Sequence, residues 1–279
     1  MKLISTLVLI CFLQLSWGQQ IVAQDFGISI GTETIKRDTI QVELGYAKME
    51  HQDDFKTMLD GVNLNMRMGR SDIHEFQLSL TQPKMAADTF VNNFILGRFS
   101  IKNIFLNNPR CKMAAMGSYF FVLRNPVNPE DWLMGVRLQA PMEFILTDHI
   151  ALRTEISTTY KLFGLISSGL QNRYNAGVQF SIGEKAKLEF GAIFLHQQLK
   201  SRQNEDPAIW MNRRYISGAA TFQLHESIAL SFNARHSYFQ SNDFQLTEFG
   251  DYYSAGVAFK IQKKAKPAVQ LDVKETDVY

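Results

Sequence analysis

From Thr39 onward the chain repeats one device: a stretch of ten to fourteen residues that alternates apolar and polar side chains, then a break. Period-two alternation places one set of side chains on each face of a β-strand, and it leaves no helical stripe. Between Asp60 and Gly69, Val62, Leu64, Met66 and Met68 point one way, and Gly61, Asn63, Asn65 and Arg67 point the other. His74, Phe76, Leu78 and Leu80 then oppose Glu75, Gln77 and Ser79. The same reading holds from Trp132 to Phe144, Ile150 to Ser157, Arg173 to Ile182, Ile228 to Ser237 and Tyr252 to Ile261. Around Phe94 to Phe105 and Met113 to Arg124 apolar residues fall on both faces, so facing is ambiguous there.

Counted from Thr39, the pattern gives twelve strands. The breaks come in two sizes. Short ones lie at 69–72, 106–111, 147–148, 183–185 and 225–226, and longer ones at 50–59, 82–91, 125–131, 163–172, 199–212 and 240–250. Short and long alternate strictly, as expected of an up-and-down barrel whose turns gather at one end and whose loops gather at the other. An even strand number returns both termini to the turn end. Soluble strands average about five or six residues, whereas a tilted bilayer-spanning strand needs about nine to eleven. The fold expected is therefore all-β: a closed antiparallel transmembrane barrel of about 12 strands over residues 39–262. Tyr46, Trp132, Tyr160, Tyr174, Tyr238 and Tyr253 fall on apolar faces beside the long breaks, where amphipathic rings meet the membrane interface. Phe105, Phe144, Phe190, Phe222 and Phe259 lie toward the other end and suit a second girdle.

The flanks read differently. Met1-Lys2, the apolar run Leu3–Leu15 and the small-residue stretch Ser16-Trp17-Gly18 have the layout of a secretory signal peptide over 1–18, with cleavage expected after Gly18. The run is shorter than the roughly 20 apolar residues that span a bilayer as a helix. Cys11 falls inside it, so the exported chain keeps only Cys111 and no internal disulfide is expected. Residues 19–38 form an N-terminal periplasmic segment. Phe26, Ile28 and Ile30 alternate within it, but an extra strand over 25–37 would break the even count. Residues 263–279 make a polar C-terminal tail on the same side.

In layout the stretch Thr39 to Gln262 resembles Gram-negative outer-membrane β-barrel proteins, including a final strand with alternating aromatics, Asp251-Tyr252-Tyr253-Ser254-Ala255-Gly256-Val257-Ala258-Phe259-Lys260. Such proteins usually end on that strand; here 17 residues follow Gln262. The resemblance implies export, signal cleavage and insertion in the outer membrane, with outer-membrane lipids as the surrounding partners.

If the apolar face meets lipid, the inward set comprises Glu43, Arg67, Glu75, Arg98, Lys102, Arg137, Glu143, Arg153, Glu155, Lys161, Lys187, Glu189, Arg213, Arg235 and Lys260, ten basic and five acidic groups. A barrel of this size can hold a narrow channel or fill with its own side chains. Two readings follow. One is a small passive pore, biased toward small anionic solutes by its basic excess. The other is a structural barrel plugged by salt bridges. Arg67, Arg98, Arg137, Arg153 and Arg235 with Glu75, Glu143 and Glu155 are the lumen candidates, and Arg98, Arg137, Arg153 and Arg235 those expected at a constriction. An alternative is a membrane-anchored binding or assembly protein acting through its loops and tail.

Chemistry finds little support. A lipid hydrolase on the outer wall wants a histidine and a serine two residues apart on one strand face. His236 has Tyr238 there and His196 has Gln198, so no enzyme is expected. The six histidines show no recurrent spacing for a metal. His51-Gln52-Asp53-Asp54 reads as a solvated acidic loop, and no glycine motif cradles a phosphate, so no cofactor is expected. With 29 basic and 27 acidic residues the chain lacks the basic excess of a nucleic-acid binder.

Overall fold

The computed structural model describes residues 31–49, 59–85, 95–122, 133–163, 167–201, 209–242 and 251–262. Twelve strands follow one another: β1 (Thr39–Met49), β2 (Leu59–Gly69), β3 (His74–Met85), β4 (Leu96–Asn107), β5 (Cys111–Val122), β6 (Leu133–Thr147), β7 (Ile150–Phe163), β8 (Ser167–Ile182), β9 (Ala186–Ser201), β10 (Ile209–His225), β11 (Ile228–Asn242) and β12 (Tyr252–Gln262). Each pairs antiparallel with its sequence neighbours, and β1 closes on β12 from Thr39↔Gln262 to Met49↔Tyr252. Closure leaves no edge strand, which a bilayer requires because lipid cannot satisfy free backbone N–H and C=O groups.

The strands run from 11 to 17 residues, with β10 the longest, so several exceed the expected ten to fourteen. The alternation of short and long connections holds except at one place. Only three residues separate β7 from β8, because β8 starts at Ser167 where a long break over 163–172 was expected. Leu162↔Ser168 and Phe163↔Ser167 are ladder pairs. Small polar residues at 167–172 resemble a loop in composition, yet β7 on one side and β9 on the other supply ladder partners for the backbone groups they carry.

The barrel is inside-out relative to a soluble fold. Its largest fully buried side chains are Arg67, Lys102, Met116, Gln41 and Gln77, whereas Leu44, Val62, Phe99, Val136, Leu138, Phe190 and Phe232 are exposed around the wall. Water would penalise so wide an apolar belt; acyl chains do not. The two ambiguous strands now have a facing. On β4, Ser100 and Lys102 point inward and Phe99 and Ile101 outward. On β5, Ala114, Met116 and Ser118 point inward and Tyr119 outward. Ala114 and Met116 are apolar and yet point inward, so a reading of facing from hydrophobicity was ambiguous there.

Candidate functional site

The lumen divides into two halves. Near the short connections (the turn end) acids and bases face each other directly: Glu75 opposite Lys102, Glu143 opposite both Lys112 and Arg153. Arg67 lies fully buried and clamps Glu75 through two bonds, Nε to Oε1 at 2.8 Å and Nη2 to Oε2 at 2.7 Å, with Glu43 3.7 Å away on its other side. Gln77 Nε2 donates to Glu75 Oε1 at 2.7 Å and Asn65 Nδ2 to Glu43 Oε2 at 3.0 Å. Arg153 bridges Glu189 at 3.1 Å and Glu143 at 3.7 Å. A planar guanidinium between two carboxylates suits this closed geometry better than an ammonium would.

Into this half folds the segment Gly31–Asp38, which precedes β1 and includes no strand. It touches four separate strands. Ile35 N donates to Glu75 Oε2 at 2.8 Å (β3), Lys102 Nζ donates to the carbonyls of Gly31 and Glu33 (β4), Thr32 Oγ1 donates to Glu143 Oε2 at 3.3 Å (β6), and Glu33 lies 3.8 Å from Lys187 (β9). Partners so far apart around the wall put the segment inside the barrel. Thr32 and Ile35 are buried. The chain enters over Gly69, where an added Cβ would stand 2.1 Å from the Lys36 carbonyl oxygen and 2.2 Å from that of Ile35, so only glycine permits the approach. Asp38, at φ 59°, turns the chain into β1, in the left-handed region that aspartate tolerates. Burial by itself would raise the Glu33 carboxyl. Lys187, then Lys112, Arg153 and Lys102, outweigh it and hold the group below its ordinary value.

Toward the long connections (the loop end) the wall turns basic. Arg98, Arg137, Arg173, Arg213 and Arg235 come from β4, β6, β8, β10 and β11. Their ladder neighbours are Ser79 and Phe120, Ser118 and Thr159, Ser157 and Leu195, Leu195 and Gln240, and Ser217 and Tyr252. None of these is a carboxylate. Arg137 Nε donates to Thr159 Oγ1 at 2.8 Å and its guanidinium lies 4.9 Å from the Phe120 ring centre; Arg235 lies 4.9 Å from that of Tyr252. Such cation–π and hydroxyl contacts help to hold an arginine in place.

Of the sequence-expected lumen residues, Arg67, Glu75, Glu143, Arg153 and Glu155 thus lie in or beside the paired half, and Arg98, Arg137 and Arg235 in the basic half. Arg153, grouped by sequence with the constriction arginines, is tied to two glutamates instead. Lys161 lies on β7, and its side chain is outside the description. The inward charge list omitted Arg173, although the alternation that opposes Asn175 to Tyr174 also places it, and Lys112, which precedes a stretch whose facing was ambiguous in sequence. Tyr46, Tyr160, Tyr174, Tyr238 and Tyr253 are exposed on the outer wall; Trp132 lies outside the described residues, as do the expected signal peptide, residues 25–30 of the considered extra strand, and the C-terminal tail. The outward histidines have partners that spacing along one strand could not reveal: His196 with Asn212 at 2.6 Å, and His236 with Asp251 at 2.7 Å. Among the described residues no cluster of three metal-ligating side chains occurs.

No family model matches the chain, and no curated protein does. Solved structures match by fold. An outer membrane channel from Pseudomonas putida F1 aligns with a TM-score of 0.67 at 10% identity, over 87% of this chain and 100% of its own. The NanC porin aligns with a TM-score of 0.54 at 12% identity, over 80% and 100%. The KdgM porin, solved with disordered oligogalacturonate, aligns with a TM-score of 0.50 at 6% identity, over 78% and 98%. At these identities the likeness is one of fold. The protein is a closed twelve-stranded barrel of the outer-membrane type, and its fold is one that channels and porins use.

Proposed function

We propose that the protein is a narrow passive pore of the Gram-negative outer membrane, reached after removal of residues 1–18, with a preference for small anionic solutes. Its own N-terminal segment closes the turn end. The observation that carries this reading is the split lumen: acids and bases neutralise one another around Gly31–Asp38, whereas five arginines of the other half have no carboxylate across the ladder. Fixed positive charge in a confined path raises the local concentration of anions and lowers that of cations. The fold shared with channels and porins supports passage over catalysis. The paired half also supports the second reading, a permanently occluded structural barrel.

Single-channel recording in a planar bilayer separates the two. The full chain is expected to show rare, small steps. Deleting 31–38, which leaves all twelve strands intact, is expected to give frequent steps whose reversal potential across a salt gradient favours anions. Arg137→Ala with Arg235→Ala is expected to reduce that preference. If the deletion variant folds, shown by heat-modifiable gel mobility, and stays silent, the pore reading is wrong and the occluded barrel stands.

A further inference from the structure

Three arginines of the basic half stand on one arc of the inner wall. Arg173 (β8) and Arg213 (β10) belong to one ladder row, with Leu195 of β9 between them. Adjacent strands lie about 4.8 Å apart, so the two backbones are separated by about 10 Å, within reach of two inward arginine side chains. Arg235 comes from β11, the next strand. Its own row continues through Ser217, Gly191 and Gly177, small residues on the inner face. That row leaves its guanidinium space to lean toward β8, and Arg235 and Arg173 interact electrostatically across it.

Neighbouring groups aim this cluster and leave it cationic. Arg173 Nε donates to Asn175 Oδ1 at 2.8 Å, Arg213 hydrogen-bonds the Tyr215 hydroxyl, and Arg235 lies 4.9 Å from the Tyr252 ring centre. Amide, phenol and ring are neutral partners. Arg235 Nε is buried without a hydrogen-bond acceptor among the described residues. The carboxylate that faces the cluster is Glu155 of β7, and its charge is shared: it interacts with Arg153 as well as Arg235, and accepts from Gln139 Nε2 at 3.0 Å. Guanidiniums brought together from three strands repel one another, and a bound anion removes that repulsion.

We infer that Arg173, Arg213 and Arg235 form a binding site for a phosphoryl group, carried by free phosphate or by a phosphate monoester, on the inner wall of the lumen. A phosphate monoester brings a charge of about −1.5 to −2 and three acceptor oxygens, one for each guanidinium. Its tetrahedral shape turns those oxygens toward three strands at once. A carboxylate offers one charge and two oxygens in a plane, which suit a single guanidinium fork. Leu195, between Arg173 and Arg213, gives the body of an ester an apolar contact. The inference rests on the pore reading, because the anion reaches the cluster through the lumen, and it goes further. A fixed positive field favours every small anion, whereas this site selects one chemical class and saturates.

The test is isothermal titration calorimetry of the detergent-solubilised full chain with inorganic phosphate, glycerol 3-phosphate and acetate. Phosphate is expected to bind saturably at one site, at least tenfold more tightly than acetate. Equal binding of glycerol 3-phosphate supports a site that admits an ester; binding of phosphate alone supports a site for the free ion. Arg173→Gln and Arg235→Gln should each weaken phosphate at least tenfold, and Arg98→Gln, on β4 across the barrel from β10, should leave it unchanged. Glu155→Gln, which keeps an acceptor for Gln139, should tighten phosphate binding, a gain that lost structure does not produce. Gel mobility reports the folding of each variant. A folded full chain that shows no saturation, binds acetate equally well, or is weakened as much by Arg98→Gln overturns the site. The readout needs no current: a silent bilayer with saturable phosphate binding overturns passage and keeps the site, whereas anion-selective steps without saturable binding keep the pore and overturn the site.

Discussion

Glu75→Gln asks whether the turn-end half of the lumen is dry. The glutamate and Arg67 both have fully buried side chains, joined by a two-bond clamp, and Glu75 also accepts from Ile35 N and Gln77. The glutamine keeps the shape and one acceptor but removes the charge, leaving Arg67 with Glu43 at 3.7 Å. Hydrogen bonds to charged groups contribute about 1.5–3 kcal/mol each, and breaking a buried pair from one side costs about 3–5 kcal/mol, because the surviving charge is left in a poor solvent. We expect a loss of about 3 kcal/mol in equilibrium urea unfolding in detergent micelles, followed by tryptophan fluorescence, with the denaturant slope unchanged. Were water to fill this half freely, the pair would behave as an exposed one, worth about 0–1 kcal/mol. A measured loss below about 1 kcal/mol would therefore refute the closed turn end.

Gly69→Ala should displace the N-terminal segment, because its Cβ meets backbone oxygens that cannot swing aside; overpacking of this kind costs about 1–3 kcal/mol, and channel openings should rise toward those of the deletion variant. Acidification should loosen the same segment. The folded Glu33 carboxyl is held below its usual value of 4.5, so its contribution is present above that value and is lost as pH falls through the lower folded one. Opening frequency should accordingly rise below about pH 4.5, and Glu33→Gln should open more at neutral pH and lose that part of the response. Intact-mass measurement of protein extracted from membranes should show a chain beginning at Gln19; a chain retaining residues 1–18 would contradict the export signal.

Strand number, facing and closure were legible because the bilayer imposes rules that act along the chain. Val62 to Met68 must alternate with Gly61 to Arg67 if one face meets lipid, and the sequence by itself determined this for ten of the strands. It also placed every charge of Glu43, Arg67, Glu75 and Glu143 on the inner face. Alternation says which way a side chain points, but not whom it meets. That depends on register between strands, so only the tertiary structure decided that Arg153 is held by Glu143 and Glu189 while Arg137 and Arg235 face no carboxylate across the ladder. The same holds for His236 and Asp251, brought together by the β11–β12 pairing. The segment Gly31–Asp38 was the least legible part: short, polar and without period, it takes its place from Gly69, Glu75, Lys102 and Glu143 on the far side of several turns. Local pattern fixes a strand's two faces because it has a period of two residues; a plug or a charge pair is fixed only when the barrel closes and distant strands become neighbours.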